Sequence, residues 1–314
     1  MTTENTLWVE KWRPAFIEDT ILPPSILSMF QNYVKNGDFP NLLLYGDSGV
    51  GKTTLAKALA KELGWSLRTF NASAMKTSDF EEDLKKFVTS KALDNDSNVK
   101  IVLFDEVDGL SNLLQNKMKF FMEEHSHVCR FIMTANLPGK LIKPLRSRCT
   151  EISFYWSAED LKKIKKQFAM RCVKILKTEK IEFDLPAISE VVNNYFPDFR
   201  KTLNDLQKYS AINGKIDENI LSIQTARFDD LYLSLKKGPV GFKDCRKWVA
   251  DNKTLGDSIF TTLLNDGMKK VDAKSIPDFV TIVGEFAYKH AFVVDPEVNL
   301  TAMIVQLLRS VKWK

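Results

Sequence analysis

Apolar positions in the first half of the chain fall into short runs separated by stretches of helical spacing. "NLLLYG" (41–46), "SLRTFNA" (66–72), "KIVLFDEVD" (100–108), "CRFIMTANL" (129–137) and "CTEISFY" (149–155) read as five strands. They read as continuously apolar rather than alternating, as strands covered on both faces should. Helical patterns lie between them near 52–63, 78–91 and 112–125, and "LDNDSNVK" (93–100) is a polar loop. Strand and helix in alternation imply an α/β fold built on a parallel sheet.

After about residue 156 the strands stop. "SAEDLKKIKKQFAMRCVKILK" opens with Ser157, has Asp160 three residues later, and sets Leu161, Ile164, Phe168, Cys172 and Ile175 at helical spacing. It predicts a capped amphipathic helix. Helices continue over 184–196 and 199–211, "NGKID" (213–217) is a connector, and helical spacing returns from about 226. Leu300, Met303, Ile304, Leu307, Leu308 and Val311 form one stripe on the last helix. Three domains are expected: α/β over 1–156, a small helical domain over 157–225, and an all-helical domain over 226–314.

Composition narrows the setting more than the chemistry. Of 314 residues, 44% are hydrophobic and 27% charged, enough for ordinary packed cores. Cys129, Cys149, Cys172 and Cys245 form no C-x-x-C pair, which argues against a zinc site or disulfide framework and for a reducing compartment. "MTTENTLWVE" lacks a signal pattern and no apolar run approaches about 18 residues, so a cytoplasmic protein without a membrane partner is expected. A net charge of +5 permits nucleic-acid contact without announcing it. Lys162, Lys163, Lys165 and Lys166 read as a solvated helix face, and His125, His127 and His290 form no ligand pattern.

The stretch from Gly46 to Thr54, "GDSGVGKTT", carries G-x-x-x-x-G-K-T between a strand and a helix. Gly46 and Gly51 let the backbone turn, so that the amides of the loop, Asp47, Ser48, Gly49 and Val50 among them, face phosphate oxygens at a helix N-terminus. Lys52 reaches the β- and γ-phosphates and the Thr53 hydroxyl ligates Mg²⁺, with Thr54 beside it. Asp105, at the end of "IVLFD", is placed to hold Mg²⁺, and Glu106 to polarise an attacking water. That carboxylate suits water as the nucleophile and favours hydrolysis over transfer to another acceptor. Thr134 and Asn136 end the strand of "FIMTANLPGK" at the same sheet edge, where Asn136 could orient the water or touch the γ-phosphate.

Four further stretches resemble the clamp-loader ATPases of the AAA+ superfamily. "WVEKWRP" (8–14) is similar to that family's W-V-E-K-Y-R-P box, with Trp12 for Tyr. With "TILPP" after it, the resemblance implies adenine-side contacts from Val9, Glu10, Lys11, Trp12 and Ile21. Ser147-Arg148-Cys149 resembles the S-R-C motif, whose arginine is a finger reaching the nucleotide of a neighbouring subunit. "FPDFRKTLNDLQKYS" is similar to the family's helical-lid motif and implies that Arg200 senses the γ-phosphate in its own subunit. "NASAMKTSDF" resembles the stretch after the second strand and implies DNA-backbone contact from Lys76, with Ser111, Asn112 and Gln115 in the next unit. The proportions of the chain and its ending "KWK" are most similar to the phage branch of the family. Asp47 and Ser48 stand where the family usually has two prolines; rigidity is lost there, but no phosphate ligand.

The resemblance implies catalytic roles for Lys52, Asp105, Glu106, Asn136, Arg148 and Arg200, with ATP and Mg²⁺ as cofactors. It further implies a pentamer of copies of this chain with a different small subunit, acting on a ring-shaped sliding clamp and primer–template DNA. Two rival readings are another AAA+ DNA motor, such as a branch-migration helicase or helicase loader, and a nucleotide-binding scaffold that does not hydrolyse. The box at 8–14 and the S-R-C triplet weigh against the first, and the intact Lys52, Thr53, Asp105 and Glu106 against the second.

Overall fold

Apolar residues on both sides of a strand dictate a sheet with two cores. The computed structural model describes residues 7–74, 83–90, 99–252, 256 and 258–314. Strands β1 (Leu42–Tyr45), β2 (Leu67–Asn71), β3 (Lys100–Asp105), β4 (Cys129–Ala135) and β5 (Thr150–Ser153) form one sheet in the order β2-β3-β4-β1-β5. All four pairings are parallel. Successive side chains alternate between faces. Leu43, Val102, Phe104, Phe131 and Met133 enter one core, while Leu42, Leu44, Ile101, Leu103 and Ile132 enter the other. The central strands β1, β3 and β4 are therefore buried almost throughout, as expected. The edge strands differ: β2 is largely exposed and β5 half so, because each has a neighbour on one side only.

Helix α1 (Trp8–Lys11) and helix α2 (Pro24–Asn36) precede the sheet, and α3 (Lys52–Leu63) follows β1. The helix expected over 78–91 lies partly outside the described residues; within them α4 spans Lys85–Thr89. Buried Lys100 closes the end of that helix, its Nζ donating to Phe87 O at 2.7 Å, to Ser90 Oγ at 2.9 Å and to Ser90 O. Helix α5 (Asn112–Glu124) runs back between β3 and β4, and α6 (Lys143–Arg146) leads into β5.

The capped helix expected from Ser157 is α7 (Ala158–Thr178), with Ser157 Oγ accepting from the Asp160 amide at 3.1 Å. Helices α8 (Leu185–Tyr195) and α9 (Phe199–Asn213) complete the small helical layer. Strands do not stop at 156: β6 (Glu182–Phe183) and β7 (Lys215–Ile216) pair in parallel, and "NGKID" supplies the second of them. Two-residue strands are too short for hydrophobic periodicity to reveal.

By internal contacts the chain forms two compact units, Met1–Asp217 and Glu218–Lys314. The second is helical: α10 (Asn219–Lys236), α11 (Phe242–Asn252), α12 (Ser258–Thr262), α13 (Met268–Lys270), α14 (Ile276–His290) and α15 (Pro296–Ser310). Its core gathers Phe228, Leu231, Trp248, Phe279 and the predicted stripe of α15, in which Leu300, Met303, Ile304 and Leu307 are fully buried. Val271 and Trp313 form an antiparallel bridge that ties down the C-terminal residues of this unit.

Candidate nucleotide site

Ligands of open parallel sheets bind beyond the C-terminal ends of the strands. Register places Tyr45 beside Ala135, Phe104 beside Met133 and Asn71 beside Asp105. The residues that follow β1, β3 and β4 therefore emerge side by side. They line one cleft in the first unit together with the loop 48–54 and Arg200.

The loop has the backbone that its glycines permit. Gly46, Gly49 and Gly51 have φ of 151°, 76° and 101°, a region that side chains disfavour. At Gly46 a Cβ would lie 2.7 Å from Phe154 Cβ, and at Gly49 it would lie 1.9 Å from Asp198 Oδ1. Gly49 thus lets the loop tip touch the start of α9: its carbonyl accepts from the Phe199 amide at 3.1 Å, one residue before Arg200. Asp198 also caps that helix, accepting from the Lys201 amide at 2.9 Å. Asp47 is held as well, since Tyr155 donates to its Oδ1 at 3.3 Å.

Lys52 is buried at the mouth of α3. Its Nζ donates to Gly46 O at 2.8 Å, Asp47 O at 2.7 Å and Asn136 Oδ1 at 2.9 Å. Burial lowers its pKa below the usual lysine value, while Asp105, Asp108 and Asp47 pull it back up. Thr53 Oγ1 donates to Asp105 Oδ1 at 2.9 Å, and Thr134 Oγ1 donates to the same oxygen. A hydroxyl and a carboxylate in contact beside a phosphate loop are the hard oxygen donors that Mg²⁺ takes, the metal keeping phosphate and water for its other positions. Glu106 stands in left-handed backbone (φ 59°), fixed by its amide donating to Thr134 Oγ1 at 3.1 Å. The carboxylate accepts from Ser73 Oγ at 3.1 Å, but that hydroxyl also lies 2.7 Å from Asn71 Oδ1. One hydroxyl proton serves one acceptor at a time, so Ser73 restrains Glu106 without fixing it.

Several residues of the site were not anticipated. Asp108 accepts from the Asn136 and Leu137 amides, both at 3.2 Å, and so holds the turn that aims Asn136; the acidic run "DEVD" was its signal. Arg13, within the quoted box, lines the cleft and donates to Thr54 Oγ1 at 3.0 Å. Arg171 lines it too and donates to Asp19 O, tying α7 to the segment before α2. Periodicity marks α7 as amphipathic but says nothing of which polar residue faces a ligand.

The box at 8–14 divides. Val9, Trp12 and Ile21 line the cleft. Trp12 Nε1 donates to Glu179 Oε1 at 2.7 Å, and the Trp8 amide to Gln207 Oε1 at 2.9 Å, which pins the box to the helical layer. The side chains of Glu10 and Lys11 are not brought to the cleft. Glu10 pairs with Arg13, whose hydrogen bond is the main reason that its carboxyl titrates below the usual range; Lys11 pairs with Glu179 at 2.9 Å. Each is thus engaged in an ion pair at the margin of the cleft, Lys11 on the same Glu179 that Trp12 bonds and Glu10 on the cleft-lining Arg13.

Arg148 does not line this cleft. It sits after α6, paired with Glu123 at the end of α5. Burial pushes the thiol of neighbouring Cys149 up to about 12, which makes it a packing residue rather than a nucleophile. Of the suggested DNA contacts, Lys76 lies outside the described residues. Ser111 caps α5 through the Leu114 amide and Asn112 is exposed. Gln115 is buried and spent internally, its amide donating to Leu110 O and Lys140 O and accepting from the Ile142 amide at 2.8 Å.

Comparison with known proteins identifies the family. Residues 42–155 match the family "ATPase family associated with various cellular activities (AAA)". Residues 160–222 match "Sliding-clamp-loader large subunit, AAA+ ATPase lid domain". The chain is 33% identical to the sliding-clamp-loader large subunit of Enterobacteria phage T4, over 97% of this chain and 96% of that one. It is 32% identical to the replication factor C small subunit of Methanococcus vannielii, over 68% of each. Among solved structures it is similar to the Holliday junction branch migration motor RuvB of Thermotoga maritima, with a TM-score of 0.53 and 17% identity over 91% of this chain and 90% of that one. That likeness shows the fold alone, which clamp loaders and branch-migration motors share. The near full-length identity to the phage protein, together with the lid match, is more specific: this chain belongs to the family of AAA+ sliding-clamp-loader large subunits.

Proposed function

We propose that this chain hydrolyses ATP at a site completed by a neighbouring subunit, and couples it to opening a ring-shaped clamp and leaving it closed on primer–template DNA. The observation that carries this reading is a division of charge. Lys52, Asp105, Glu106 and Arg200 surround one cleft, while Arg148, the family's finger by resemblance, is held elsewhere on the same chain. With Arg148 as the finger, the arginine for this cleft comes from a neighbouring copy and adds to the chain's own Arg13, Arg171 and Arg200. The functional division proposed is an α/β domain over 1–156, a lid over 157–225 and a collar over 226–314. The setting is the host-cell cytoplasm for a phage-encoded chain.

Each residue has a definable task. The loop amides and Lys52 hold the β- and γ-phosphates, and Thr53 with Asp105 holds Mg²⁺. Val9, Trp12 and Ile21 pack the base. Arg200 binds the γ-phosphate from α9. Because the Gly49 carbonyl is bonded to the start of that helix, a shift of the loop tip reaches Arg200 directly. Bound Mg·ATP supplies the labile phosphoryl group. Glu106 accepts a proton from the attacking water, which Asn136 helps to orient. Arg148 of the adjacent copy offsets charge on the transferring oxygens. Contact with primer–template DNA is to phosphates, and hence weakens steeply with salt.

A direct test is capture of the clamp. The assembled protein should retain a ring-shaped clamp on a column with a non-hydrolysable ATP analogue and release it with ADP. Failure to retain the clamp in either nucleotide would contradict the reading.

A further inference from the structure

Arg148 is the residue on which a composite site depends, and its surroundings are built. Its Nε donates to Glu123 Oε1 at 2.7 Å, its Nη2 donates to the same oxygen, and its Nη1 donates to Pro144 O at 2.5 Å. A guanidinium has five N–H donors in a rigid fork. Three are engaged here, along the Nε edge and on one side of Nη1. One N–H remains on each Nη nitrogen, and the side chain is 30% exposed. Neighbouring Arg146 does not compete for Glu123, because it has its own carboxylate: Glu151 takes its Nε and Nη2, each at 2.8 Å. Glu123 also occupies the last turn of α5, where the helix dipole disfavours an acid. Helix stability therefore gives no reason for a glutamate there, whereas the contact with Arg148 does.

We propose that Glu123 is the positioning residue for Arg148. It grips the guanidinium side-on and leaves one donor on each Nη nitrogen to meet an anion. This rests on the reading of Arg148 as the finger for a neighbouring subunit. A free arginine must give up rotamer freedom when it meets a phosphate; one already held by Glu123 and Pro144 has lost it beforehand. Glu123 touches no substrate and acts only through Arg148.

The test uses the full chain assembled with its partner subunit, with clamp and primed DNA, and reads kcat and KM for ATP. Glu123→Ala is expected to lower kcat on the order of 10- to 100-fold, the cost of a misplaced catalytic group, with KM and thermal unfolding unchanged. Glu123→Gln keeps an oxygen that accepts from Nε and Nη2, and is expected to stay closer to the parent than to Glu123→Ala. The double variant Glu123→Ala/Arg148→Ala should be no slower than Arg148→Ala alone. Parental or raised turnover in Glu123→Ala beside a slow Arg148→Ala overturns the role of Glu123 and leaves the finger standing. So does a double variant much slower than either single one. Parental turnover in Arg148→Ala overturns both.

Discussion

Glu106→Gln is expected to bring steady-state ATP hydrolysis in the assembly down by about 10²–10⁴-fold, the usual worth of a positioned general base. Nucleotide binding should stay within a few-fold of the parent, because no phosphate or base contact is assigned to this side chain. The geometry supports the separation. Glu106 follows the strand that ends in Asp105, and its left-handed backbone turns its carboxylate towards Ser73 rather than into the Thr53–Asp105 pair. Gln has the same shape and can still accept from Ser73, so the loop should fold as before. Equilibrium binding of a fluorescent ATP analogue, set beside phosphate release, reads the two effects apart. A variant that loses binding as well would assign Glu106 to holding nucleotide or metal.

Arg148→Ala should cost more, on the order of 10³–10⁵-fold in turnover if the finger works as arginine fingers do in GTPases. The loss should appear only in the assembly. Each subunit should still bind ATP, since Arg148 lies outside the cleft of its own chain. Mixing makes the test sharper: subunits carrying Arg148→Ala mixed with subunits carrying Glu106→Gln should recover turnover at the junctions where an intact arginine faces an intact Glu106. Two-sided loss with no recovery would mean that Arg148 acts within its own subunit.

The sheet and most of the phosphate site are legible in the sequence because both follow from short-range rules. Central strands buried on both faces must be apolar at every position, and "IVLF" is. The loop must have glycine where φ is positive, and Gly46, Gly49 and Gly51 are those residues. Helix α3 covers the expected 52–63, since Gly51 precedes it and left-handed Gly64 ends it. What escaped was long-range. Arg171 and Asp108 matter only because folding brings α7 and the turn after β3 to the cleft. Glu123 lies 25 residues from Arg148, and no spacing links an acid at the end of one helix to an arginine beyond the next strand. The resemblance implies base contacts from Glu10 and Lys11 as from Val9 and Trp12, but Glu10 and Lys11 form ion pairs of their own. The β6–β7 pair fell below the length at which periodicity speaks.

The central claim is that hydrolysis here is tied to loading a clamp on DNA, and steady-state phosphate release measures it most directly. The assembled protein should turn over ATP slowly alone, faster with either clamp or primed DNA, and fastest with both, with the stimulation fading as salt screens the phosphate contacts. A rate indifferent to clamp and primed DNA, alone and together, would contradict it.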